Sequence, residues 1–351
     1  MEDLIKKFDS NNTYNVIKNF HEQVTSAIQI GKSISLKNIN VTKIKNIVIT
    51  GLGGSAIGGD LIKLFTKDIL NIPVIVNRDY FLPKFVNEET LVIISSYSGN
   101  TEETISAYQD AIDKDSQIIC ISNGGTIKKI AEEKNHNIVL IPGDFQPRFA
   151  LGYMFFSQLY ILIKLGFIKE DTLNLDELIT LLKNKSALYS NYSSDNFALS
   201  LAKKIKGKFT FIYSTPNTEI IGIRWRGQLN ENSKVLVSTH YFPELNHNEI
   251  VGWTKEGGLS NILENSLIIF LKDKNDFDRV LYRTKVTRDI FENITKEIVE
   301  ISGEGNTYLT RIFDLLYLAD WCSYYLALLN GVDPADIKNI VTLKEKLAEY
   351  K

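Results

Sequence analysis

The sequence predicts an α/β protein built from two doubly wound domains, each a parallel sheet flanked by helices. Three observations carry the prediction. Short apolar runs alternate with helical patterns along most of the chain, as βαβ units do. The runs are apolar almost throughout, which fits strands buried on both faces. The chain has 351 residues, enough for about two domains at roughly 150 residues each, and its halves show the same architecture without a clear internal repeat.

In chain order, Tyr14, Ile17, Phe20, Val24, Ala27 and Ile28 recur at helical spacing. Residues 12–30 are therefore expected to form an amphipathic helix within an N-terminal extension, 1–40, with Asn12 or Thr13 as cap. In the first α/β domain, 41–183, strands are expected at Asn46–Thr50, Val74–Asn77, Leu91–Ser95, Gln117–Ser122 and Asn137–Ile141. Helices are expected at Ile57–Phe65, Thr101–Asp113 and Thr126–Lys134, then as a long apolar helix from Gly152 to Leu165 and another through Leu182. The polar stretch 183–196 reads as the interdomain passage. The second domain, 184–351, is expected to hold strands at Phe209–Ser214, Lys234–Ser238, Leu267–Lys272 and Glu297–Ile301. Its helices are a segment ending near Lys203, Arg224–Asn232, Thr287–Thr295, the very apolar Leu309–Asn330 and a short amphipathic helix over 336–351.

Composition narrows the function. Hydrophobic residues make up 44% and the net charge is −2, which argues against a nucleic-acid partner, since such proteins carry a basic excess or stripe. No apolar run approaches the length of a membrane span, and the N-terminus MEDLIKKFDSNN lacks the layout of a signal peptide. Cys120 and Cys322 lie in apolar contexts and read as reduced core residues of a cytoplasmic protein. Two cysteines and four histidines give no zinc-type cluster, so neither metal nor cofactor is expected.

The stretch NIVITGLGGSAIGGD, Asn46–Asp60, carries the chemistry of the first half. A buried strand runs into a loop of Gly51, Gly53, Gly54 and Ser55 and then a helix start. Glycines let backbone N–H groups approach an anion, and a helix start adds unpaired donors and partial positive charge. The spacing of Gly51, Gly53 and Ala56 also fits a dinucleotide fingerprint, which wants an acidic residue closing the next strand; that strand ends Asn77-Arg78-Asp79, which is ambiguous. A second loop after a strand, Ser96-Tyr97-Ser98-Gly99-Asn100-Thr101, favours a compact monophosphate with several oxygens to satisfy. Singly, Ser55, Ser96, Ser98 and Thr101 would read as turn and cap residues; together with Gly54 they read as a phosphate site.

Four further residues stand out. Glu231 closes a helix pattern in RWRGQLNENSK, His247 follows in PELNHNEI, Arg148 lies just past the last strand of the first half, and Lys344 lies in IVTLK. Alone, each has a bland reading: a helix-end carboxylate, a loop histidine, a surface cation and a solvated helix face. GLGGSAIGGD, SYSGNTEET, RWRGQLNENSK, PELNHNEI and DWCSYYLALLNGVDP…IVTLKEKL together resemble the bifunctional phosphoglucose/phosphomannose isomerases, which are built from two sugar-isomerase (SIS) domains. The resemblance runs from about residue 45 to the C-terminus; residues 1–40 match no motif.

The resemblance implies a metal-independent aldose–ketose isomerase acting on glucose 6-phosphate, and on mannose 6-phosphate, to give fructose 6-phosphate through a cis-enediol. It implies phosphate binding by Ser55, Ser96, Ser98 and Thr101, Arg148 beside the reacting carbons, Glu231 as base, and His247 as ring-opening histidine with Lys344. It further implies a homodimer in which His247 is donated across the interface. Three other readings stay open at this stage: an isomerase using only one of the two hexose phosphates, an SIS protein binding a sugar phosphate as a regulatory ligand without turnover and, more distantly, a Rossmann dehydrogenase.

Overall fold

A computed structural model describes residues 1–350. The chain forms two compact units, one of residues 19–179 and one that joins residues 1–18 to the chain from 180 onward. Three helices open it: α1 (Glu2–Phe8), α2 (Thr13–Lys18) and α3 (Phe20–Ser33). The single amphipathic pattern over 12–30 thus becomes two helices that break at Asn19. Thr13 and Ile17 of α2 are buried in one unit, and Phe20, Val24, Ala27 and Ile28 of α3 in the other.

The 19–179 unit continues with β1 (Asn46–Thr50), α4 (Gly53–Thr66), β2 (Val74–Asn77), β3 (Thr90–Ser95), α5 (Glu102–Asp113), β4 (Gln117–Ser122), α6 (Gly125–Glu133) and β5 (Asn137–Leu140). A single 3-10 turn, Pro147–Phe149, leads into α7 (Leu151–Lys164), and α8 (Leu175–Tyr189) crosses to the other unit. All five strands are parallel, in the order β2-β1-β3-β4-β5. All six residues of β3 are buried because helices cover both faces, and the period of two sends alternate side chains to each. Val48, Val92, Ile94, Ile118 and Cys120 face Ala107, Ala111, Ile127 and Ala131 of α5 and α6. On the opposite face α4 packs on α7, and α3 on α7.

The other unit holds α9 (Phe197–Ile205), β6 (Thr210–Ser214), α10 (Glu219–Ser233), β7 (Val237–Tyr241), α11 (Ser260–Glu264), β8 (Leu267–Lys272), α12 (Asp278–Phe291), β9 (Ile298–Ser302), α13 (Tyr308–Asn330) and α14 (Lys338–Glu349). Its four strands are parallel in the order β7-β6-β8-β9, the same winding one strand shorter. One face is aromatic, with Tyr213, Phe242, Trp253, Phe270 and Phe291 packed together. Helix α13 packs along α9 and α10. It is long and apolar enough to cross a membrane, which the sequence reading missed, but its most apolar window is 94% buried, as in a core helix.

Several boundaries differ from expectation, α4 and α10 starting at Gly53 and Glu219 rather than at Ile57 and Arg224. Lys234 takes the left-handed conformation (φ 58°) that ends α10, so β7 starts at Val237 rather than at Lys234. Helix α12 begins at Asp278, ahead of the expected Thr287, because it buries only Thr284, Thr287 and Phe291 and shows a weak apolar period. Helix α8 runs on to Tyr189, so the polar stretch expected as a passage begins as helix. Cys120 and Cys322 are free and buried, and burial pushes the Cys120 thiol up to about 12.

At the end of β8, the Asp273 carboxylate accepts from Arg311 Nε at 2.6 Å and Nη2 at 3.0 Å. Both side chains are almost fully buried, 2% and 1% exposed. Removing one partner strands the other charge without solvent. Asp273→Ala should therefore cost about 3–5 kcal/mol of unfolding free energy, read by urea denaturation of the purified protein; a loss under ~1 kcal/mol would mean that Arg311 finds another partner.

Candidate active site

The winding of the 19–179 sheet reverses between β1 and β3: the chain passes from β1 outward to β2, and from β3 outward to β4 on the other side. In open α/β sheets the carboxyl ends at such a reversal form the natural ligand crevice. Here the loops that follow β1 and β3 are the two that the sequence singled out. Because β1 and β3 pair directly, the starts of α4 and α5 flank one crevice from the two faces of the sheet, and each presents first-turn N–H groups beyond the reach of intrahelical carbonyls.

The hydroxyls around this point are each tied into the two loops. Ser55 Oγ accepts from the Tyr97 N–H at 3.0 Å, which leaves its own proton for another acceptor. Ser96 Oγ donates to Thr101 Oγ1 at 3.2 Å and accepts from the Gly99 N–H at 3.1 Å. Ser98 Oγ accepts from the Asn100 N–H at 3.3 Å. Ser55 and Ser96 are buried, Thr101 half-buried and Ser98 exposed. Gly54 brings in the last member. A Cβ built there would lie 2.6 Å from the Pro147 carbonyl oxygen and 3.1 Å from the Arg148 nitrogen, so only glycine admits the Pro147–Phe149 turn this close. Arg148, 3% exposed, has its guanidinium 4.9 Å from the centre of the Phe149 ring. The structure thus assembles Gly54, Ser55, Ser96, Ser98, Thr101 and Arg148 within one unit.

Glu231, His247 and Lys344 belong to the other unit. Glu231 sits half-buried in the last turn of α10. That helix is fixed against α13 by buried polar bonds. Trp225 Nε1 donates to the Leu315 carbonyl at 2.9 Å, Gln228 Nε2 to Asp320 at 2.5 Å, Asn232 Nδ2 to Ser323 Oγ at 3.0 Å and Ser233 Oγ to the Ser323 carbonyl at 2.6 Å. Arg224 Nη2 lies 3.4 Å from the same Asp320 carboxylate. Lys234 closes the helix, its Nζ donating to the Glu231 carbonyl at 2.7 Å and the Asp333 carbonyl at 2.8 Å. Glu231 lines a cavity of about 430 Å³ with Asn230, Lys234, Asp336, Ile337 and Ile340.

His247 is not brought to Glu231. Parallel strands oblige the helix between them to run back along the sheet, so the end of α10 lies at the amino end of β7. His247 is exposed in the 3-10 turn Glu244–His247, beyond the carboxyl end of β7. The five residues of β7 alone separate the two ends by roughly 15 Å at ~3.3 Å per residue. Lys344 is exposed on α14, a helix with no buried residue, beyond the stretch that lines the Glu231 cavity.

Comparison with known proteins places these features. Residues 40–161 match the model of the SIS domain, and residues 194–347 match the bacterial phospho-glucose isomerase C-terminal SIS domain. The chain is 44% identical over 338 residues to the bifunctional phosphoglucose/phosphomannose isomerase of Caldicellulosiruptor bescii, covering 95% of this chain and 98% of that one. It is 37% identical over 314 residues to the protein of the same name from Aquifex aeolicus, covering 89% and 93%. The chain belongs to the bifunctional phosphoglucose/phosphomannose isomerase family. A hypothetical protein from Thermus thermophilus shares the fold, with a TM-score of 0.75 at 12% identity over 100% of this chain and 94% of that chain.

The two SIS units of this family member treat the same reversal point differently. In the unit from 180 onward it falls between β6 and β8, and its loops bond largely among themselves, although among the described residues Ser214 Oγ and Asp276 Oδ1 are buried without a hydrogen-bond partner. The Thr215 N–H donates to Thr218 Oγ1 at 2.9 Å, Thr218 Oγ1 to the Leu271 carbonyl at 2.7 Å, and the Asp273 N–H to the Asp276 carboxylate at 2.7 Å. A carboxylate thus takes a loop donor that the other unit's loops could offer to a ligand. Sequence reasoning missed two supports of the first unit's cradle. Gln158 Nε2 donates to Ser95 Oγ at 3.0 Å, and the Tyr97 hydroxyl accepts from the Phe145 N–H at 2.9 Å. Burial raises the Tyr97 phenol above its ordinary value and keeps it neutral. The polar pair Ser157-Gln158 inside an apolar helix was the available signal. Among the described residues no group of three or more His, Cys, Asp or Glu side chains is placed to hold a metal ion.

The Gly54 contact yields a direct test. Gly54→Ala puts a methyl against backbone rather than against a side chain that can swing away. Overpacking of this kind costs about 1–3 kcal/mol, so a clear fall in Tm is expected by calorimetry, and an unchanged Tm would show that the turn is free to move off.

Proposed function

We propose that the protein is a metal-independent isomerase that interconverts glucose 6-phosphate and mannose 6-phosphate with fructose 6-phosphate through a cis-enediol, acting as a cytoplasmic homodimer. The observation that carries the reading is the hydroxyl cradle at the sheet's reversal point, with the backbone of the turn that holds Arg148 closed against Gly54, in a chain of this family. Ser55, Ser96, Ser98, Thr101 and the N–H groups near Gly54 bind the phosphate, which takes no part in the chemistry; its binding energy fixes C1 and C2. The two buried free thiols suit a reducing compartment.

Each chemical step has a residue of the right type. Glu231 removes the proton from C2 of the open-chain aldose while O1 is protonated. The O2 proton then leaves as the C2 carbonyl forms, and Glu231 returns its proton to C1. The enediolate is anionic on the way, and the Arg148 guanidinium stabilises it from a position shielded from water. Ring opening needs a proton taken from O1–H and one given to O5, which suits the imidazole of His247 aided by the Lys344 ammonium. Mannose 6-phosphate uses the same base once the C2–C3 bond rotates. A regulatory sugar-phosphate binder needs the cradle but no base, and the buried bonding that fixes α10 beneath Glu231 favours turnover.

The position of His247, exposed and at the far end of β7 from Glu231 of its own chain, supports its donation to a neighbouring copy, since most oligomers are symmetric dimers.

Two experiments test the reading. In a coupled assay started from fructose 6-phosphate in EDTA, with the two aldose products scored separately, Glu231→Gln should lose 10²–10⁴-fold in turnover while binding the sugar phosphate within a few-fold. Retention of more than about a tenth of wild-type turnover would remove Glu231 as the base. Co-refolding Glu231→Gln with His247→Ala tests the shared site. Random pairing makes half the dimers mixed, and each mixed dimer has one intact site, so about a quarter of wild-type activity should return. No recovery, with mixed dimers confirmed by a tag on one partner, would show that both residues act from one chain.

A further inference from the structure

We infer that Gln23, on the helix that precedes the first sheet, is a positioning residue for Arg148. The inference rests on the role given to Arg148 above and assigns a task to a segment that matches no family motif. Gln23 is 5% exposed on α3. Its Nε2 donates to the Phe149 carbonyl at 2.7 Å, and its Oε1 accepts from the Gly152 N–H at 2.9 Å. One amide therefore spans the junction between the 3-10 turn that carries Arg148 and the first turn of α7. It takes a donor that the helix start leaves open and a carbonyl that the turn leaves open.

Phe149 is the link to the guanidinium. Its carbonyl is held by Gln23, and its ring, 6% exposed, lies beneath the Arg148 guanidinium at 4.9 Å. Upstream, the Phe145 N–H is held by the Tyr97 hydroxyl, and Tyr97 in turn donates its own N–H to Ser55 of the cradle. The turn is pinned on both sides, to the cradle through Tyr97 and to α3 through Gln23. An apolar residue at 23 would leave the Phe149 carbonyl and Gly152 N–H buried without their partner, and the turn would shift to recover one. A displacement of about 1 Å of a group that acts on the reacting atoms is enough for a rate loss near 10²-fold.

The experiment compares Gln23→Leu with wild type in the fructose 6-phosphate assay, after Arg148→Ala and Arg148→Lys have been measured. Gln23→Leu is expected to lower kcat about 10–100-fold with KM within about 3-fold, because the phosphate cradle is untouched. Its effect should largely vanish in the Arg148→Lys background, since residues that act through one another are not additive. A folded Gln23→Leu protein with kcat within about 2-fold of wild type, or an undiminished effect in the Arg148→Lys background, overturns the inference. Should Gln23→Leu fail to fold, Gly152→Ala serves instead. Its methyl would lie 2.8 Å from Gln23 Oε1, so it displaces the amide without removing it, and the same kcat loss is expected. If Arg148→Ala itself keeps near-full turnover, the role of Arg148 fails, and that outcome is read before any Gln23 variant.

Discussion

The reversal of winding between β1 and β3 is the constraint on which the 19–179 unit depends. Because these strands are neighbours in a parallel sheet, the helices that follow them start on either side of one crevice, and both macrodipoles turn their positive ends towards it. Everything gathered there adds to that field or tolerates it. Hydroxyls sit in both loops, and Gly54 gives up a side chain so that the Pro147–Phe149 turn, which carries the buried Arg148, can close in. Such a convergence of donors is costly without an anion, because each buried donor wants a partner. The loops meet part of that demand themselves, through Ser96 with Gly99 and Ser55 with Tyr97.

The other unit shows the same winding put to a different use. Its reversal point is closed by Thr218, Asp273, Asp276 and Arg311. What it supplies instead is a rigid helix end. The α10–α13 contact carries Arg224, Gln228, Asn232 and Ser233 facing Asp320 and Ser323. An all-apolar contact would bury as much surface, but it would tolerate rotation of α10 about its axis. Directional bonds along the helix fix the rotation, and with it the bearing of Glu231. Buried polar pairs add little net stability and are better understood as setting register.

Much of this was legible in the sequence, for physical reasons that differ by element. Strands buried on both faces announce themselves as apolar runs, so β1, β3, β4 and β8 were found within a residue or so. The two cradle loops were legible because only glycine and small hydroxyl residues suit a strand end that opens onto a helix start. Three things were hidden. The break at Asn19 leaves no mark, since Ile17 and Phe20 keep the helical period while facing different units. Lys234 adopts a conformation usually left to glycine or asparagine, so β7 was placed too early. Helix α12 leaves Tyr282, Val286 and Ile290 exposed and buries only Thr284, Thr287 and Phe291, so its apolar residues gave little period to follow. The groups that hold the site were the least visible, because Gln23 and Gln158 act through bonds to residues far away in sequence.

That last point bears on why a segment without motifs is part of the unit at all. Helix α3 lies against α7 closely enough that a Cβ on Gly31 would overlap the Tyr160 ring, and it buries Phe20, Val24, Ala27 and Ile28. Large buried side chains of this kind contribute about 1.5–3 kcal/mol each, so α3 is held firmly by apolar packing before any polar bond is counted. An amide on a helix held this way is a fixed object, and a fixed object can position a turn. The same amide on a solvated loop would exchange with water and hold nothing. In the role proposed for Arg148, that stiffness matters more than it would for a surface arginine. A guanidinium acts strongly on a nearby anion only where water is excluded, and there a small shift changes its effect most. The apolar contact between α3 and α7 is therefore what gives the polar bonds of Gln23 their value.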